Sequence, residues 1–83
     1  MINLIEGKLE LSEERFVIVN VGGVGYRVFV SAETASKLPR KGSLVKLWTQ
    51  LYVRDDIIEL YGFLSKEDLD FFELLNSIAG IGP

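Results

Sequence analysis

Ser31-Ala32-Glu33-Thr34-Ala35-Ser36-Lys37-Leu38-Pro39 is a helix signature set in a chain that otherwise reads, through its first two-thirds, as strands. Ser31 offers an oxygen to cap the first turn. Glu33 stands where the helix dipole favours an acid, Lys37 where it favours a base, and Pro39 cannot continue the helix. The segment holds about two turns at ~3.6 residues each. Its place in the order of elements decides the architecture, because the strands around it suit several small barrels.

Upstream, Ile2 to Leu11 carries apolar residues in a broken alternation, with Gly7 marking a bulge or a close backbone approach. Ser12-Glu13-Glu14 is a polar turn. Arg15 to Val21 is β-branched and apolar on both faces, which suits a central strand. Gly22-Gly23 supplies a tight hairpin with positive φ open at both positions. Val24 to Val30 then places Val24, Tyr26, Val28 and Val30 on one face, and Gly25 on the other leaves room for a neighbouring segment.

Downstream, Arg40-Lys41-Gly42-Ser43 is a loop and Leu44 to Val53 is the longest strand. Trp48 and Tyr52 share one of its faces; Leu47, Thr49, Leu51 and Val53 share the other. Arg54-Asp55-Asp56 interrupts, and Ile57 to Phe63 returns as the second arm of a hairpin with charge at its tip. A helix over 65–78 follows, with Ser65 and Asp68 as a capping box. Leu69, Phe72, Leu75 and Ile78 form its apolar stripe, widened by Phe71 and Leu74. Gly80 fits the position just past its end.

Three strands, a short helix, two strands and a terminal helix is the order of the OB-fold, a five-stranded Greek-key barrel. The expected class is therefore all-β with an appended helix. An SH3-like barrel, the main competitor, has no helix between its third and fourth strands.

Composition removes whole classes of function. The 83 residues make one domain, and 48% hydrophobic residues suffice for one compact core. Cysteine and histidine are both absent, so there is no thiol nucleophile, no Ser-His or Cys-His pair, no disulfide framework and no zinc site of ordinary ligands. No metal or cofactor is expected. No apolar run approaches the ~18 residues that span a bilayer, and the start lacks the charge and apolar stretch of a signal peptide. A cytoplasmic protein without a membrane partner is the expectation. The net charge of −3 counts against a dedicated DNA-binding surface, which is usually basic.

Asp55 and Asp56 are the sharpest candidates, flanked by Arg54. Two carboxylates without further oxygen donors hold Mg²⁺ or Ca²⁺ poorly. A hairpin tip is not the pocket that acid–base catalysis needs. Two readings stay open: a solvated turn, or a negative finger that repels a polyanion. Gly22-Gly23-Val24-Gly25 is followed by a strand rather than a helix, which argues against a phosphate loop. Leu60-Tyr61-Gly62-Phe63 reads as the end of a core strand. Lys37, Arg40 and Lys41 make a small basic loop. At the C-terminus, Gly80, Ile81 and Gly82 form a glycine-spaced turn whose exposed N–H groups suit a phosphate, with the motif's second helix expected beyond Pro83.

Val21-Gly22-Gly23-Val24-Gly25-Tyr26, Val53-Arg54-Asp55-Asp56, Leu60-Tyr61-Gly62-Phe63 and Gly80-Ile81-Gly82-Pro83 occur in the order and spacing of the RuvA family, bacterial proteins that bind Holliday junctions. The resemblance covers the whole chain, and four motifs in register are far more specific than any one of them. It implies an OB-fold domain over 1–63 and, over 64–83, the start of a helix-hairpin-helix domain.

The resemblance further implies a non-catalytic subunit of the RuvA–RuvB branch-migration helicase, serving homologous recombination, DNA repair and the SOS response. Its partners would be four-way junction DNA, further copies in a homotetramer with an octamer as the larger form, and the RuvB ATPase, contacted through a domain outside these residues. Asp55 and Asp56 would be an acidic pin at the junction centre, and Gly80, Ile81 and Gly82 part of a phosphate grip. Many family members carry Glu where this chain has Asp55, which keeps the charge and shortens its reach. Two other classes compete: a small barrel used only for protein–protein assembly, and an oligosaccharide-binding OB barrel, which has no support beyond the fold.

Overall fold

In the computed structural model, which describes residues 1–79, the elements run β1 (Leu4–Ser12), β2 (Phe16–Val21), β3 (Val24–Phe29), α1 (Ala32–Lys37), β4 (Leu44–Arg54), β5 (Ile57–Phe63) and α2 (Lys66–Ala79). The strands close into a barrel in the order β1-β2-β3-β5-β4. β3 meets β5 in parallel through Val28↔Leu60 and Phe29↔Tyr61, and the remaining pairs are antiparallel. This is the five-stranded barrel expected, with the short helix between its third and fourth strands.

Alternation along the strands builds the core. Ile5 and Leu9 of β1, Val17 and Val19 of β2, Val28 of β3, Val45 and Leu47 of β4 and Leu60 of β5 all point inward and are buried. Each such side chain contributes about 1.5–3 kcal/mol by leaving water. Thr49 is the polar exception among the inward residues of β4: its hydroxyl donates to the Ile2 carbonyl at 2.9 Å and its N–H to that of Asn3 at 2.9 Å. Those two bonds tie the N-terminal residues to the barrel wall.

Gly7 proves to be a close approach and not a bulge. A Cβ there would overlap the Asn20 carbonyl on β2. The irregularity falls three residues later, where Leu9 pairs with Val19 and Leu11 with Ile18, leaving Glu10 as the extra residue. The Glu10 carboxylate accepts from the Asn20 amide at 2.8 Å, and Asn20 Oδ1 accepts from the Gly23 N–H at 2.8 Å. That braces the β2–β3 turn, in which Gly22 and Gly23 take φ of 61° and 96°.

α1 forms as its signature requires. Ser31 Oγ accepts the Thr34 N–H at 3.0 Å, and the chain leaves the helix extended at Leu38. Ala35 and Leu38 pack against the core. α2 begins one residue later than expected, with Ser65 outside it. Ser65 Oγ accepts the Asp68 N–H at 3.1 Å. Among the described residues Asp68 makes no return bond, so half of the expected capping box forms.

The expected apolar stripe of α2 is buried in part. Leu69 is covered and Phe72 half-covered, whereas Phe71, Leu74 and Leu75 are 61%, 52% and 47% exposed. Phe71 and Leu74 lie about 100° or more around the helix from Phe72. A single helix resting on the outside of a barrel cannot bury both faces.

Candidate nucleic-acid interface

The β4–β5 hairpin carries the acidic tip. Its ladder runs from Trp48↔Phe63 to Arg54↔Ile57, with Asp55 and Asp56 as the two connecting residues. The favoured two-residue connections take positive φ at their first residue, and Asp55 supplies it at 52°. Aspartate tolerates that region better than most residues because its short side chain can bond locally. Arg54, Asp55 and Asp56 are all exposed, as the sequence reading placed them.

The hairpin outruns the barrel. Val53 and Ile58 face each other on the side that half-buries Leu51 and buries Leu60 lower down, yet they are 59% and 70% exposed. The finger therefore presents two carboxylates at its end and an apolar pair just behind them.

On the outer face, aromatic rings join the finger to α2. The Arg54 guanidinium carbon lies 5.6 Å from the centre of the Tyr52 ring. Tyr52 meets Tyr61 edge to face, with centroids 6.4 Å apart and planes at 81°. Tyr61 stacks on Phe72 of α2 at 6.0 Å, and Phe72 contacts Phe63 at 5.0 Å. The Tyr61 hydroxyl donates to Glu59 at 2.6 Å. Burial, then the Glu59 hydrogen bond and charge, push the Tyr61 hydroxyl up to about 12, so it stays protonated across the physiological range.

Reading Leu60-Tyr61-Gly62-Phe63 as the end of a core strand holds for Leu60 and Gly62, which face inward. It misses Tyr61 and Phe63, which face α2. Tyr52 and Glu59 also belong to this surface, and the sequence reading did not single them out for it. The strand period was the available signal: Tyr52 and Arg54 are two apart, as are Glu59 and Tyr61, so each pair shares a face.

Two clefts border this surface. One of about 470 Å³ is lined by Phe29, Tyr61, Phe63 and Phe72 together with Arg15 and Ser31, and by no carboxylate. Another of about 330 Å³ lies beside the finger, between Arg27 and the pair Asp56 and Glu59. Among the described residues no group of three or more acidic, His or Cys side chains could hold a metal, and no helix is long and apolar enough to cross a membrane. Of the small basic loop, Lys37 pairs with Glu33 at 3.3 Å. Gly80, Ile81 and Gly82, the expected phosphate grip, lie outside the described residues.

Residues 1–62 match the family described as the RuvA N terminal domain. Three curated relatives bear the name Holliday junction branch migration complex subunit RuvA. The protein of Acetivibrio thermocellus is 51% identical over 83 residues, which is 100% of this chain and 41% of the relative. That of Rickettsia bellii is 51% identical over 82 residues, 99% of this chain and 40% of the relative. That of Symbiobacterium thermophilum is 46% identical over 83 residues, 100% and 40% respectively. The chain thus spans about two-fifths of the length of the curated relatives it matches.

Proposed function

The chain belongs to the RuvA family, and from that premise we propose that it is the barrel domain of a non-catalytic subunit that binds four-way DNA junctions during branch migration. In this reading residues 1–63 supply the barrel and the acidic finger, and residues 64–83 open the domain that grips phosphates through Gly80, Ile81 and Gly82. ATP hydrolysis belongs to a RuvB partner, contacted outside these residues. The setting is the bacterial cytoplasm, in recombination and DNA repair.

One observation carries the role of the finger. Asp55 and Asp56 stand exposed at the end of a two-residue turn, and neither is in an ion pair among the described residues. A negative end of this kind repels phosphate. Between unit charges about 4 Å apart the Coulomb term rises from ~1 kcal/mol in bulk water to ~4 kcal/mol where the effective dielectric falls to about 20. Where four such fingers meet in a tetramer, repulsion would disfavour a continuous duplex across the centre and tolerate a junction whose strands part there. The same geometry fits the net charge of −3: attraction to DNA is left to the second domain.

The exposed pair Val53 and Ile58 favours assembly as a second use of this surface, since apolar side chains beside a charged tip suit contact with protein. Assembly and repulsion are compatible in a homotetramer and are separated by one experiment. Full-length protein carrying Asp55→Asn and Asp56→Asn should bind linear duplex about tenfold tighter, equal to ~1.4 kcal/mol, and should change the rate of branch migration with its ATPase. Unchanged duplex affinity and unchanged migration would leave assembly as the only role of the barrel.

A further inference from the structure

An arginine directly precedes the acidic tip, and its long flexible side chain could fold onto either carboxylate. Here it does not. The Arg54 guanidinium lies 5.6 Å from the centre of the Tyr52 ring. The ion pairs formed among the described residues are on the helices, Lys37–Glu33 and Lys66–Asp70. We propose that Tyr52 is a positioning residue: its ring holds Arg54 on the outer face of β4, away from Asp55 and Asp56, so that this guanidinium neutralises neither carboxylate of the tip. The proposal rests on the repulsive role of the tip and names the residue that maintains it.

The placement follows from the strand. Tyr52 and Arg54 are two residues apart on β4 and so project from the same face, whereas Asp55 and Asp56 occupy the turn beyond. The ring is itself braced. Tyr61 meets it edge to face, and Tyr61 is fixed by its hydrogen bond to Glu59 and its stack on Phe72. Glu59, opposite Tyr52 in the ladder, adds negative charge on the same face and draws Arg54 the same way. An exposed guanidinium–ring contact and an exposed guanidinium–carboxylate pair are of similar strength. Without the ring, the two tip carboxylates outnumber Glu59 in drawing the guanidinium, so Arg54 should shift toward the tip.

The test uses full-length protein and linear duplex of fixed length at low salt. Tyr52→Leu should loosen Arg54, neutralise part of the tip and tighten duplex binding by about two- to fivefold, the scale of an exposed cation–π contact. Tyr52→Phe keeps the ring and should bind as the unmodified protein does. Against an Arg54→Gln background Tyr52→Leu should change nothing, because there is no cation left to release. An equal effect in that background would mean that Tyr52 acts only through the fold, and would overturn the proposal. So would a silent Tyr52→Leu when Asp55→Asn with Asp56→Asn tightens binding. If the Asn pair is itself silent, the repulsion reading fails, and a crystal structure of the Tyr52→Leu variant still decides the placement of Arg54. A guanidinium within about 4 Å of Asp55 or Asp56 supports the proposal, and one that has not moved overturns it.

Discussion

The Tyr61 hydroxyl donates to the Glu59 carboxylate at 2.6 Å across the outer face of β5. Burial and this bond raise its pKa to about 12 from the ordinary 10.0. The folded state therefore keeps the proton where the unfolded chain loses it. The resulting stabilisation is complete below pH 10 and is lost as the pH rises toward 12. Urea unfolding at stepped pH should show stability falling over that interval, and Tyr61→Phe should flatten the fall. At neutral pH the same variant should lose about 0.5–1.5 kcal/mol, the net worth of one hydrogen bond.

Gly62 faces the barrel interior from β5, where a Cβ would stand 2.5 Å from Val28 Cγ1 and 3.4 Å from Leu47 Cδ1. Val28 is fully buried and branched at Cβ, so it has little freedom to turn aside. Gly62→Ala should cost about 1–3 kcal/mol through overpacking. Thermal unfolding checks this, and adding Val28→Ala should recover part of the loss if the clash is its cause. Gly7→Ala should be worse and resist such rescue, because the Asn20 carbonyl it would strike is backbone.

The elements were legible in the sequence wherever a local chemical reason set them. Ser31 and Pro39 bound α1, Gly22-Gly23 makes its hairpin, and the charged residues at 54–56 interrupt two apolar runs. Barrel closure was legible only through the order of elements. No local signal tells Val28 to pair in parallel with Leu60, or β1 to pair with β4, since those contacts depend on chain segments far apart. The same holds for the outer face. Tyr61 could be assigned to a strand from its neighbours, but its stack on Phe72 exists only once α2 is docked. Gly7 was legible as special, and the choice between bulge and close approach was settled by Asn20 on the opposing strand.

Asp55 at φ 52° makes the tip a conformational as well as an electrostatic site. Asparagine adopts this region as readily as aspartate, so Asp55→Asn should unfold at nearly the same temperature as the unmodified chain while removing a charge. Asp55→Val places a β-branched residue at positive φ and should cost about 1–2 kcal/mol. Comparing the two by calorimetry separates turn strain from charge. A fall in stability with Asn as large as with Val would show that the carboxylate itself holds the turn.

The helix that decides the architecture is held by its cap and by the core beneath it. Ser31 Oγ accepts the Thr34 N–H at 3.0 Å and lies 3.1 Å from Thr34 Oγ1, while Thr34 is buried and Ala35 and Leu38 pack against the barrel core. Capping is thus coupled to packing: if the first turn frays, the residues behind it lose their seat. Ser31→Ala should cost about 1 kcal/mol, and Ser31→Asp should retain most of the stability by supplying another capping oxygen. Hydrogen exchange gives the sharper reading. If α1 is pinned chiefly by its cap, the Ala variant should lose protection at the Ala35 amide, which bonds the Ser31 carbonyl at 2.9 Å, before it loses any in β2. Simultaneous loss in both would mean that α1 and the barrel open as one unit.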